Sequence, residues 1–393
     1  MDLTLNASGA DLLERARRVA AIAEKHADHV DAEGRFPREA VDALVSERLL
    51  SIQVPAELGG EDTGLPQIAE ICTVLGQACA AAAMVFAMHH IKLSSLVSHG
   101  IDSAWHRSFM RQVVVDQLLL ASATTEGGIG GNLRNSICAV SVEGDDCRLE
   151  KDATVISYGH YADAILITSR AHAEAASTDQ VMTVFTRDQY TLERTHVWDT
   201  LGMRGTCSDG YLFKGQAPKE QILPKPFAEI AAQSMLATSH LLWGAVWYGI
   251  AVNAVTRAQA FVRAAARKSP GAPPPGALHL AEASSLLQLV KSSVVAGLER
   301  NEAAKADPEL LSSMGFAVAM NNVKIGVSQT ILTIINHALQ ITGIMGYKNG
   351  TPFSLGRHLR DAHSAQLMIS NDRILANTSN LLLVHKQDTS LLG

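Results

Sequence analysis

Between Leu119 and Pro226 the chain abandons the helical spacing of its flanks and breaks into short β-prone runs. Ile137-Cys-Ala-Val140, Ala164-Ile-Leu-Ile-Thr168 and Val181-Met-Thr-Val-Phe185 are such runs, separated by Asp, Gly and Ser. On either side, apolar residues recur at helical intervals. Leu12, Leu13, Ala16, Val19 and Ala20 share one helical face, Ala40, Leu44 and Val45 share another, and Ala78 to Val97 form a helix rich in small residues. Beyond Phe227 come four helical pieces of roughly twenty to thirty residues, with one Pro/Gly break at Ser269-Pro-Gly-Ala-Pro-Pro-Pro-Gly276. Helix, strand, helix in that order predicts an α+β fold and not a parallel α/β sheet. The expected domains are an N-terminal helical domain (1–118), a small central β-domain (119–228) and a C-terminal four-helix bundle (229–393).

Composition narrows the ligands. A chain of 393 residues that is 47% hydrophobic buries sizeable cores. Its net charge of −6, with acidic and basic residues interspersed, excludes a basic nucleic-acid stripe and a polybasic membrane patch. The opening Met-Asp-Leu-Thr-Leu-Asn carries no leader signal, and the longest apolar run, Leu241 to Val252, is too short and interrupted to span a bilayer. A cytoplasmic protein handling small molecules is expected. Five cysteines without a C-x-x-C pair or a His/Cys cluster predict neither disulfides nor a metal site.

The densest glycine cluster is Thr124-Thr-Glu-Gly-Gly-Ile-Gly-Gly-Asn132. It lacks the Gly-Lys-Ser/Thr ending of a P-loop, and Gly128-Ile-Gly130-Gly-Asn-Leu133 lacks the third glycine of a dinucleotide fingerprint. Alone, it reads as a turn at the entry to the β-domain.

Four other segments change that reading: Phe36-Pro37, Val54-Pro-Ala-Glu-Leu-Gly-Gly60, Leu201-Gly-Met-Arg-Gly-Thr-Cys-Ser208 and Gly343…Arg360-Asp361. In this order, together with Thr125-Glu126-x-x-x-Gly130, they resemble the acyl-CoA dehydrogenase superfamily over essentially the whole chain. The resemblance implies FAD in a cleft between the β-domain and the bundle, and a homodimer or homotetramer. It also implies roles for single residues. Thr125 reaches the pyrimidine edge of the flavin, Ser157 lies near N5, and Asn371 contacts FAD. Arg267 suits the pyrophosphate as a planar multi-donor cation, while Gln340 and Gly343 belong to the segment a neighbouring subunit lays against the cofactor. The tryptophan that usually covers the flavin is missing, because the strand reads Val155-Ile-Ser-Tyr-Gly159.

The largest departure concerns the reaction. Ile369 stands where the family carries its catalytic glutamate, and Ser239 fills the alternative placement on the first bundle helix. Neither can take the α-proton of an acyl thioester. The leading expectation is therefore an oxygen-using, monooxygenase-type flavoenzyme, with a partner reductase as one source of reduced flavin. The alternatives are acyl-CoA or acyl-carrier-protein dehydrogenation with a non-standard base, served by an electron-transfer partner, and a non-catalytic partner subunit. His240, beside Ser239, and His89 are the candidate proton-transfer groups. Their plainer reading is as hydrogen-bonded core residues in a chain with 15 histidines. Met84, Met88 and Met368 are candidates to line an apolar cavity.

Overall fold

The computed structural model describes residues 7–129, 132–268, 271, 274–386 and 389–390. Gly130 and Gly131 of the glycine cluster, and Ser269, Pro270, Ala272 and Pro273 of the proline break, lie outside the described residues. The N-terminal region is helical: α1 Ala7–Glu33, α2 Arg38–Ser46, α3 Leu65–Ala78, α4 Ala80–His99 and α5 Ala104–Asp116. Seven strands follow: β1 Leu120–Ala123, β2 Ser141–Glu143, β3 Asp146–Ala153, β4 Ala164–Arg170, β5 Gln180–Thr186, β6 Tyr190–His196 and β7 Gly210–Pro218. The C-terminal region comprises α6 Phe227–Ile230, α7 Leu236–Lys268, α8 Ala277–Ala304, α9 Pro308–Leu311, α10 Met314–Thr342, α11 Ile344–Tyr347, α12 Gly356–Leu367 and α13 Asn371–Leu382. The α+β architecture expected from the sequence is the observed one.

The strands form two sheets. One has the order β1-β4-β5 with β1 and β4 parallel; the other is antiparallel in the order β2-β3-β7-β6. They meet through Phe185 on β5 and Phe213 on β7, whose rings lie 5.1 Å apart edge to face, with Tyr190 of β6 stacked on Phe213. Two of the three expected β-runs form β4 and β5. The third, Ile137 to Val140, does not become a strand. The buried carboxylate of Glu126 accepts the backbone N–H groups of Ile137 and Cys138 at 2.9 and 2.6 Å, so they never enter a ladder.

The C-terminal bundle differs from the expectation in its fourth member. Three long helices, α7, α8 and α10, pack together, but the fourth piece divides into α12 and α13 at Met368–Ser370. Ile369 takes φ +49 there, a left-handed conformation that a β-branched residue disfavours. Both α4 and the continuous Phe227–Lys268 stretch are long and apolar enough to cross a membrane, and both are largely buried inside the fold. A π-helical turn, Ala231–Met235, joins α6 to α7 and swings Met235 toward α4.

Candidate active site

The family-like segments meet around one junction. Phe36 stacks on Tyr161 at 4.2 Å, and Arg204 donates through Nε to the carbonyl of Asp31 at 2.8 Å. Asp361 on α12 accepts the Met203 N–H at 2.7 Å, and a Cβ on Gly202 would lie 2.2 Å from the Arg360 carbonyl. Only glycine permits that approach. Burial pushes the Asp361 carboxyl up to about 6, while the Met203 hydrogen bond and Arg357 oppose the rise.

Between the β-domain and the helices, this junction encloses a cavity of about 540 Å³. Its β-side wall is rich in hydroxyls. Ser122, Thr124, Thr125, Ser157, Thr206 and Ser208 all line it. Thr125 donates to the Val155 carbonyl at 3.1 Å, and Ser157, Ser208 and Thr206 form a hydroxyl chain with links of 2.8 Å that ends on the Met203 carbonyl. Trp198 and Thr200 extend this wall.

The helical wall contributed by α4, the π turn and α7 is mostly apolar. Met84, Met88, Ile91 and Lys92 come from α4, Met235 from the π turn, and Ser239 and Trp243 from α7. Met84, Met88 and Lys92 follow one another at four-residue intervals and therefore share a face of α4. Lys92 is only 4% exposed, and its Nζ has one described partner, the thioether sulfur of Met235 at 3.2 Å. Burial alone pulls the lysine down to about 7. The Trp243 indole N–H has no described partner. Arg360, His363 and Arg373 stand on the α12–α13 side, with Met368 and Ile369 beside them. Among the described residues lining the cavity there is no Asp or Glu.

Of the residues picked out from the sequence, Thr125, Ser157, Met84, Met88 and Met368 come together at this cavity. His89 and His240 do not line it, which corrects the expectation that they are placed for proton transfer there. The His89 ring bridges two backbones: Nε2 donates to the Leu50 carbonyl at 2.6 Å and Nδ1 accepts the Leu120 N–H at 3.0 Å. Both nitrogens are occupied, and burial lowers the ring to about 4. His240 packs inside the bundle with Nε2 3.3 Å from Asn321 Oδ1, and burial lowers it to about 4 as well.

Asn371 is also turned inward. Its Oδ1 accepts from Lys324 Nζ at 2.6 Å and its amide engages Ser328, so it braces the α12–α13 turn and does not line the cavity. The same Lys324 donates to the Ile369 carbonyl at 2.7 Å and lies over the Trp247 ring. Arg267, Gln340 and Gly343 sit exposed at the ends of α7 and α10, away from this cavity in the single chain. Gly276 packs against Ile341 at that end of the bundle. His279, Glu282 and His337 cluster on α8 and α10 with ligand-type atoms within 4.8 Å of one another, a grouping that the sequence reading passed over.

Comparison with known proteins places this architecture. Residues 9–107 match the acyl-CoA dehydrogenase N-terminal domain, and residues 230–378 match the acyl-CoA dehydrogenase C-terminal domain. Cyclohex-1-ene-1-carbonyl-CoA dehydrogenase of Geobacter metallireducens is 24% identical over 351 residues, covering 88% of this chain and 89% of that protein. The amino sugar nitrososynthase DnmZ of Streptomyces peucetius is 22% identical over 369 residues, covering 92% and 89%. Among solved structures, FMN-bound TdsC from Paenibacillus sp. A11-2 superposes with a TM-score of 0.83 at 18% identity, over 96% of this chain and 98% of that one. Two domain matches spanning most of the chain, on the helix–sheet–helix frame they require, show that it belongs to the acyl-CoA dehydrogenase superfamily of flavoproteins.

Proposed function

We propose that this protein is a flavin-dependent oxidoreductase in which reduced flavin meets oxygen, a monooxygenase-type enzyme acting on a small molecule in the cavity between β-domain and bundle. The observation that carries this reading is the make-up of the cavity wall. Its described residues supply hydroxyls, thioethers, indoles and cations, but no carboxylate. Desaturation of an acyl thioester needs a base for the α-proton, and the two family placements hold Ile369 and Ser239.

The residues present fit a flavin. Thr125 and Ser157 would hold its polar edge, and the Ser157–Ser208–Thr206 chain is already oriented by the Met203 carbonyl. When bound, the flavin supplies the redox chemistry; the chain binds, orients and excludes water. Trp198 and Met203 close the β side, and the methionines of α4 give the ligand an apolar bed. Arg267, Gln340 and Gly343 are exposed at one end of the bundle, which suits a contribution to a second subunit's cofactor in a dimer or tetramer. The relatives lend weight: one is a nitrososynthase, and TdsC is a dibenzothiophene monooxygenase solved with FMN. FAD is the cofactor proposed, with reduced flavin delivered by a partner reductase as a variant of the same reading.

A second reading keeps acyl-thioester dehydrogenation, the activity in the Geobacter relative's name. One observation favours it: Lys92 is a cavity group able to accept a proton near neutrality. Anaerobic photoreduction of the flavin-loaded protein, followed by mixing with oxygenated buffer in a stopped-flow spectrometer, separates the two. An oxygen-dependent spectral transient and stoichiometric oxygen consumption are expected. Slow featureless reoxidation, with the flavin bleached by acyl-CoA thioesters, sinks the oxygen reading.

A further inference from the structure

The geometry points to Lys92 as the anion-binding group of the cavity, pairing its ammonium with the acidic oxygen of a compact carboxylic acid or phenol whose apolar body lies on the methionines. The inference rests on reading this cavity as the substrate site. Lys92 is 4% exposed and lines the cavity, yet three N–H donors face one described acceptor, a thioether. Sulfur is a weak acceptor. A buried lysine left this way lacks the compensation that buried charges normally find.

The charged and titratable neighbours do not supply it. On α4, His89 and His90 are committed to the carbonyls of Leu50 and Leu49, and His99 to Ser234. His240 on α7 faces Asn321, and Glu229 on α6 acts on His99. Arg373 adds positive charge to the cavity lining, and Arg360, also in the lining, pairs with Asp31. An anion entering this space therefore meets no carboxylate among the described lining residues.

The chemistry balances without a co-reactant. A neutral acid gives up its O–H proton, Lys92 gains an N–H bond, and the resulting ion pair replaces two unsatisfied groups. An acid that enters ionised draws that proton from solvent instead. Lys92 suits this role because burial leaves it near the midpoint of its titration at neutral pH.

Isothermal titration calorimetry of the flavin-loaded protein with benzoate, and with benzamide as the uncharged isostere, tests the inference. Measurement at pH 8 in two buffers of different ionisation enthalpy counts protons (pH chosen about one unit above the midpoint). Wild type is expected to bind benzoate at least roughly tenfold tighter than benzamide and to take up most of one proton per benzoate bound. Lys92→Met should lose both the preference and the uptake. Lys92→Arg, permanently charged, should keep the preference and lose the uptake. Equal affinity for the two probes, no benzoate binding to wild type, or a preference that survives in Lys92→Met overturns the inference. No oxygen step enters this measurement, so a protein that passes it and shows no oxygen-dependent transient keeps the anion site and loses the monooxygenase reading.

Discussion

The β-domain and the helical wall of the cavity each bury a lysine, and they treat it in opposite ways. In the sheet, Lys151 Nζ donates to the Thr168 carbonyl at 2.6 Å and faces Glu126 Oε2 at 3.9 Å. Burial would push the Glu126 carboxyl up, but the Ile137, Ser136 and Cys138 hydrogen bonds and the Lys151 charge hold it below the usual range. That lysine is closed into a finished network. Lys92 sits equally deep with a thioether and an open cavity beside it. The same residue type in the same degree of burial thus serves packing in one region and is left free for a ligand in the other, and what separates them is the presence of a carboxylate.

Substitutions should sharpen that contrast by moving stability in opposite directions. Glu126→Ala removes the hydrogen bonds to Ser136, Ile137 and Cys138 and leaves the buried Lys151 charge with Thr168 alone, so denaturant unfolding should show a loss of about 3–5 kcal/mol. A loss under about 1 kcal/mol would dissolve the contrast. Lys92→Met should instead stabilise. With the folded-state midpoint near 7 against an ordinary value of 10.5, the unfolded chain binds the extra proton between those limits, so wild-type stability rises with pH across that window. The gain on substitution is then largest at pH 6, on the order of a few kcal/mol, and shrinks toward pH 10. Thermal melts at both pH values check the sign.

Smaller effects come from the edges of the same regions. Lys324→Met leaves the Ile369 carbonyl without its Lys324 donor and Asn371 Oδ1 with Ser328 alone, and should cost about 2 kcal/mol while loosening the α12–α13 turn to proteolysis. Ser157→Ala cuts the hydroxyl chain at its cavity end. About 1 kcal/mol of flavin affinity should be lost, read as faster flavin release, with the melting temperature nearly unchanged.

What could be read from the sequence was whatever local pattern and order determine. The change of period at Leu119 gave the three-part organisation, and the β4 and β5 runs were visible as such. The strand β3 was hidden because Lys151 occupies an inward position of its alternation, which the sequence-distant Thr168 and Glu126 make tolerable. Ile137 to Val140 misled for the converse reason: its composition favours a strand, but a tertiary carboxylate takes the N–H groups of Ile137 and Cys138 and leaves an isolated bridge between Ala139 and Arg170. Lys92 was legible in principle. Met84 and Met88 were recognised as cavity candidates, and one further turn along that face leads to it. The inward turn of Asn371 was not legible, since it depends on a lysine 47 residues away.

The left-handed turn at Ile369 has a consequence for anyone wishing to remake this enzyme. A branched side chain opposes that backbone, so the shape comes from outside, from the Lys324 bond to its carbonyl and from the start of α13. Shape and side chain are thereby decoupled. The position behaves as a socket: asparagine, aspartate or glycine would sit in it with less backbone strain than the isoleucine now there, and an acid can be plugged in at the cavity's edge without redesigning the turn that presents it.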